Sequence, residues 1–246
     1  MRRRRARPDS TDARPPGHRR RPGPGGYGVD GASRRTYARR RGSSDGGVRV
    51  AEALRDARVR PVLGTDAAAV RRVVEAAFGD EGLAVAALAE ALAARPRGAG
   101  FVAEHDGEVV GHVHLSWGWL DAPDRLVDVL VLSPLSVAPA VQRRGLGGAL
   151  VGRAISAAEE LGAPLLFLEG DPAYYSRFGF VHARPLGLVR PSVRVPHSAF
   201  QVVVLPAYDG SMTGALVYPD TFWAHDCVGL RGERLAAVRA ASGEDA

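Results

Sequence analysis

The sequence contains no lysine; all 33 of its formally positive side chains are arginines. A Walker A phosphate loop, which needs Gly-Lys-Ser/Thr, is thereby excluded. Cysteine is nearly as scarce. Cys227 alone forms no internal disulfide, and such usage fits a reducing, cytoplasmic compartment. No apolar run approaches the roughly 20 residues that a membrane-spanning helix needs. The arginines at the start are not followed by an apolar segment, so they do not read as a secretory signal. No cluster of His, Cys and Asp at ligand spacing is evident, so no metal is expected.

The charge is unevenly distributed. Residues 1–50 hold 15 Arg and 4 Asp, a net of +11, whereas residues 51–246 carry a net of −5. Residues 1–48, rich in Arg, Pro and Gly, contain few groups that could form a core, so a disordered extension is expected there. Such a tail reads either as an arm for nucleic acid or another acidic partner, or as a solvated extension with no role. Residues 49–246 then form one domain. Hydrophobic residues make up 46% of the chain, enough for a sizeable core.

The body is organised around Leu132–Phe180. The apolar run Leu132–Val137 has the character of a buried strand. Gln142-Arg143-Arg144-Gly145-Leu146-Gly147-Gly148 then opens a helical pattern, with Leu146, Leu150, Val151, Ala154, Ile155, Ala158 and Leu161 at a period near 3.6. A second apolar strand, residues 164–168, ends in Glu169-Gly170-Asp171-Pro172. Strand, glycine-rich turn, helix and strand make a phosphate cradle. The first N–H groups of a helix lack partners and carry partial positive charge, and glycine allows an anion to approach the backbone closely. Arg143 and Arg144 add formal charge beside it. A dinucleotide fingerprint fails on spacing, because Leu150 stands where its third glycine is required.

Gln142-x-x-Gly145-x-Gly147 resembles the pyrophosphate-binding motif of the GNAT acyltransferase superfamily. The likeness extends to the preceding strand, Leu135-Ser136-Val137-Ala138-Pro139, and to Tyr175-Ser176-Arg177-Phe178-Gly179-Phe180, which resembles the following Tyr-x-x-x-Gly-Phe signature. Residues 170–175, together with the later segment 195–222, are similar to the YhbS-like branch of N-acetyltransferases. The resemblance covers about residues 57–222.

It implies a single α/β (α+β) domain with a mixed, largely antiparallel sheet, helices on both faces and two splayed central strands. It also implies acetyl-CoA as co-substrate. The backbone of Arg143 to Gly148 would hold the pyrophosphate, and Leu135, Ser136 and Val137 the pantetheine arm. Acetyl would pass to a primary amine by direct attack in a ternary complex, with Tyr175 protonating the departing thiolate. Tyr174 is expected to point elsewhere. Glu169 is the favoured general base, with Asp128 and Glu104 as other options. Two other classes remain open: a non-catalytic acyl-CoA-binding regulator of the same fold, and a nucleic-acid-associated protein acting through the tail.

Elsewhere, residues 59–63 read as a strand. Thr65 is expected to cap a helix over residues 67–78, and a second helix follows over residues 83–94. His105-Asp106-Gly107 marks a hairpin turn. His112 and His114 share one face of its second strand, expected to be half-exposed. Pro134 in the next strand fits either an edge strand or a broken ladder, and the resemblance implies a bulge there. Residues 200–205 and 212–218 read as strands, with 219–222 closing the pattern, and residues 231–241 as a short terminal helix.

Overall fold

The structure is a computed structural model that describes residues 57–244. The expected disordered extension over residues 1–48, and the start of the domain at residue 49, lie outside the described residues. In chain order the elements are β1 (Arg58–Pro61), α1 (Ala67–Phe78), α2 (Gly82–Ala93), β2 (Gly98–His105), β3 (Glu108–Asp121), β4 (Leu126–Val137), α3 (Leu146–Glu160), β5 (Leu165–Glu169), α4 (Pro172–Tyr175), β6 (Val181–His182), β7 (Leu188–Val189), β8 (Phe200–Val204), β9 (Gly214–Val217), α5 (Asp220–Ala224) and α6 (Gly232–Ser242).

The hairpin forms where Asp106-Gly107 places two positive φ angles in succession, 51° and 78°, as a tight turn between twisted strands requires. Strand β3 is long enough to take two partners along one edge. Strand β2 pairs with residues 108–116, and β9 takes over at Trp119–Asp121. Strand β4 runs antiparallel along the other edge of β3. Its register shifts by one residue: Val113 faces Leu135 but Leu115 faces Leu132, so Ser133 and Pro134 form the expected bulge. Strand β5 then lies parallel to β4, paired only at Leu130–Leu166 and Val131–Phe167. Beyond those two pairs the strands part. The order β1-β2-β3-β4-β5-β8-β6 makes a mixed, mostly antiparallel sheet.

Strand alternation sorts the core onto two faces. Leu130, Leu132, Leu166 and Leu168 pack with Leu146, Leu150, Val151 and Ala154 of α3. Val129, Val131, Leu165 and Phe167 pack on the opposite face with Leu88 and Leu92 of α2. A satellite cluster joins Val70 and Val74 of α1 to Ala86 and Ala89 of α2 over Val102. Helices therefore cover both faces, as expected. Leu150 is fully buried, so its truncation to alanine costs about 2–5 kcal/mol.

Three local expectations are corrected. Thr65 does not cap α1, which has no side-chain cap bond. Instead the Asp66 carboxylate accepts the Leu63 N–H at 2.7 Å and the Arg60 guanidinium at 2.7 and 3.0 Å. That guanidinium holds the Asp66 carboxyl below its ordinary range. His112 and His114 are not half-exposed, because the α1/α2 hairpin covers their face and leaves them 3% and 5% accessible. Residues 219–222 do not simply close a strand; α5 starts at Asp220. The terminal helix forms, yet buries no residue. It is tied down by polar contacts, Arg234 to Glu81 and Arg239 to the Val193 carbonyl.

Candidate active site

The cradle begins where β4 ends. Ala138 donates its N–H to the Val110 carbonyl of β3 at 2.8 Å. Successive peptides of a strand face opposite ways, so those of Leu135 and Val137 point away from β3, into the gap left by β5. Gln142 Nε2 donates to the Val137 carbonyl at 3.0 Å and ties the loop to the strand end. Arg143 (φ 61°) and Gly145 (φ 88°) both turn left-handed, which swings the chain into α3. Glycine takes that conformation without penalty. The first turn of α3 thus presents unpaired N–H groups at the mouth of the gap.

Around this turn lies a cleft of about 720 Å³, lined by Leu135, Val137, Gln142, Arg143, Gly145, Leu146, Gly147, Gly148 and Tyr175. Gly170, Asp171, Tyr174 and Arg177 complete its wall. Nine of the expected site residues thus meet in one place. Two others stand apart. Ser136 is buried on the sheet face it shares with its partner His112, its hydroxyl directed at the His112 carbonyl, and the exposed Arg144 does not line the cleft.

The wall opposite the cradle is aromatic. Asp171 caps α4 by accepting the Ala173 N–H at 2.8 Å, and Pro172 occupies the first helical position. The following tyrosines sit edge to face, with centroids 4.9 Å apart. Tyr175 packs beside Phe180, and a Cβ built on Gly170 would stand 2.4 Å from its ring. Burial, and then the neighbouring Tyr174, hold the Tyr175 phenol in its protonated form well above the usual range. Tyr174 also enters the cleft, contrary to expectation. A Cβ on Gly147 would lie 2.5 Å from its hydroxyl. Glycine there lets phenol and helix start touch. The Arg177 guanidinium stacks 4.3 Å over the Tyr174 ring and adds a cation to the cleft wall. The sequence reading missed Arg177, although its i,i+3 spacing from Tyr174 was the available signal.

Glu169 lies outside this cleft, in a smaller hollow of about 220 Å³. The two hollows meet the gap from neighbouring residues. Leu135 and Gly170 line the first, whereas Ser133 and Glu169 line the second. Glu169 accepts a hydrogen bond from the Tyr218 hydroxyl at 2.7 Å. Burial raises its pKa, opposed by the Tyr218 bond, the Gly229 N–H and the nearby Arg194. Phe78, Leu88 and Phe222 supply apolar wall, and Glu81, Asp226 and Cys227 complete the rim. The other two base candidates are engaged elsewhere. Asp128 pairs with Arg97 at 2.8 Å, and Glu104 with Arg60 at 2.8 Å. Tyr218 had no sequence signal, because 49 positions separate it from Glu169.

A basic cradle at a helix start, an exposed strand edge and a carboxylate hollow across the gap suit an acyl-CoA thioester on one side and an acceptor on the other. Comparison with known proteins bears on this geometry. A family model described as the acetyltransferase (GNAT) family matches residues 68–180. Over 122 residues the chain is 34% identical to YjhQ of Escherichia coli strain K12, described as an uncharacterised N-acetyltransferase. That match takes in 47% of this chain and 65% of YjhQ. Among solved structures, the chain is similar to the GNAT family N-acetyltransferase YhbS of Escherichia coli in complex with CoA, at 29% identity and TM-score 0.61. The match covers 68% of this chain and 92% of that one. It is also similar to a GNAT family acetyltransferase of Brucella melitensis in complex with acetyl-CoA, at 30% identity and TM-score 0.55, covering 68% and 97%.

Proposed function

The chain belongs to the GNAT acetyltransferase family, and on that premise we propose that it transfers an acetyl group from acetyl-CoA to a primary amine. The observation that carries the reading is the parting of β4 and β5 beyond Val131–Phe167, in line with the start of α3. The gap leaves the Leu135 N–H and carbonyl and the Val137 N–H without a strand partner along one wall, the Val137 carbonyl being held by Gln142. A pantetheine amide is the ligand that pairs with such an edge. The pyrophosphate belongs at the N–H groups of Gly145 to Gly148, with Arg143 and Arg177 neutralising its charge.

The thioester supplies an activated acyl carbon. The amine comes from the Glu169 hollow, and its nitrogen attacks that carbon as the C–S bond breaks. Tyr175, held protonated by its surroundings, delivers its proton to the departing sulfur. Glu169 takes the proton that the amine loses, through water; burial gives its carboxylate a raised proton affinity suited to that task. Attack is direct, in a ternary complex, with no covalent enzyme intermediate.

Thiol release from acetyl-CoA across a panel of amines tests the reading, in the parent and in Tyr175→Phe. The variant is expected to lose about 10²–10⁴-fold in kcat and to keep its acetyl-CoA affinity, as removal of a general acid predicts. An unchanged kcat would remove Tyr175 from the mechanism. A parent that binds acetyl-CoA yet releases no thiol with any amine would point instead to a non-catalytic acyl-CoA-binding regulator.

A further inference from the structure

The Glu169 hollow carries three carboxylates, Glu81, Glu169 and Asp226, and three acidic groups in one place suggest a polycation as its ligand. Their pairing says otherwise. Glu81 is bonded to Arg234 of α6. Asp226 accepts from Arg231 at 2.6 and 2.7 Å and from Arg194 at 3.0 Å. With three arginines against two carboxylates, this rim repels a further cation.

Glu169 differs from both. Among the described residues no arginine is bonded to it, and Arg194 acts on it only at a distance. It accepts the Tyr218 hydroxyl at 2.7 Å and the Gly229 N–H. A carboxylate offers about four acceptor positions, so capacity remains for one ammonium. The residue is half-buried rather than sealed, and it lines the hollow.

The rest of the lining is apolar. Phe78, Ala84 and Val85 at the α1/α2 turn, together with Leu230, are all partly or fully exposed, and the buried Leu88 and Phe222 back them. Size then bounds the ligand. An apolar cavity of about 150 Å³ admits a benzene ring. The hollow, at about 220 Å³, therefore takes one ring with a short aminoalkyl arm. A larger hollow, of about 450 Å³, also reaches Glu169, but it shares Gly170 and Asp171 with the cradle cleft and so belongs to the donor side of the carboxylate. Its Asp171 is engaged in capping α4.

We infer that the Glu169 hollow takes a small monoamine of the 2-phenylethylamine class, with Glu169 meeting its single ammonium and Phe78, Val85 and Leu230 its compact apolar body. On the acetyl-transfer reading, on which this rests, that molecule is the acceptor. Polyamines are disfavoured because their second charge meets the rim arginines.

Calorimetric titration of the CoA-loaded full-length protein with 2-phenylethylamine and with spermidine tests the inference, followed by thiol release from acetyl-CoA with each. 2-Phenylethylamine should bind saturably and at least tenfold more tightly than spermidine, and its kcat/KM should be higher by a similar factor. Ala84→Trp, at an exposed position of α2 that lines the hollow, should weaken its binding at least tenfold, with CoA affinity and far-UV circular dichroism unchanged. Arg234→Ala, which frees Glu81, should narrow the preference over spermidine at least threefold. Spermidine binding as tightly as 2-phenylethylamine would overturn the inference. So would 2-phenylethylamine binding that persists undiminished in folded Ala84→Trp. Selective binding of 2-phenylethylamine without thiol release would uphold the ligand class and remove the acetyl-transfer reading. Thiol release with spermidine alone would do the reverse.

Discussion

The two sides of the β4/β5 gap are built in opposite ways. The cradle side draws on a contiguous run, Gln142 to Gly148, and in the proposed function would work mainly through its backbone. The Glu169 side is gathered from α1, α2, the β4 bulge, the end of β5 and residues 218–230, and in the proposed function would work through side chains. Backbone recognition by one helix start is local and tolerant of surrounding sequence. Side-chain recognition assembled from distant segments is free to differ between relatives. A family can therefore hold its donor constant while its acceptor varies.

Substitutions that affect one side alone sharpen this contrast. The largest effect is expected at Gly147, where a Cβ would collide with the Tyr174 hydroxyl at 2.5 Å. Gly147→Val should lower acetyl-CoA affinity at least 100-fold, or about 2.7 kcal/mol. Adding Tyr174→Ala should return part of it, because the clash is with that ring. Calorimetry reads both, and an additive loss in the double variant would break the steric account.

The α1/α2 face should instead show itself in stability. The folded values of His112 and His114, about 3 and about 4, lie below the ordinary value of 6.5. Between those limits the unfolded chain binds more protons, so stability is full above pH 6.5 and falls as pH falls toward 4. From pH 7.5 to 5.5 the two together should cost about 2–3 kcal/mol. Urea unfolding of the parent beside His112→Leu/His114→Leu checks this. The double variant should have the flatter profile, and parallel profiles would contradict it.

A smaller effect is expected at Tyr218, whose hydrogen bond lowers the proton affinity of Glu169. Tyr218→Phe should raise that affinity, so the carboxylate form is lost at a higher pH. The acidic limb of kcat/KM should then move to higher pH, with acetyl-CoA affinity unchanged. A limb that stays in place would separate Glu169 from proton transfer.

The same contrast decides what could be read from the sequence. The cradle was legible because its signals are local: Gly145 takes the left-handed turn, Gly147 gives room, and Leu146, Leu150, Val151, Ala154 and Ala158 mark the buried face of α3. The break in pairing at Pro134 was legible because proline lacks the N–H that a ladder needs, and the family resemblance gave it as a bulge. Thr65 misled because Asp66, one residue later, reaches both the Leu63 N–H and Arg60. Strand alternation gave the correct shared face for His112 and His114, but alternation does not say what covers that face. The α1/α2 hairpin does, through contacts remote in sequence. Tyr218 on Glu169 is likewise a tertiary pairing with no local pattern.

The most direct test of the account is calorimetric titration of the full-length protein with acetyl-CoA, beside Gly145→Glu. A glutamate there would add bulk and negative charge at the helix start, on a backbone of φ 88°. The account predicts saturable binding by the parent and none by a variant that retains its circular dichroism spectrum. Equal binding by both would place the donor away from α3. No binding by either would contradict the acetyl-CoA reading itself.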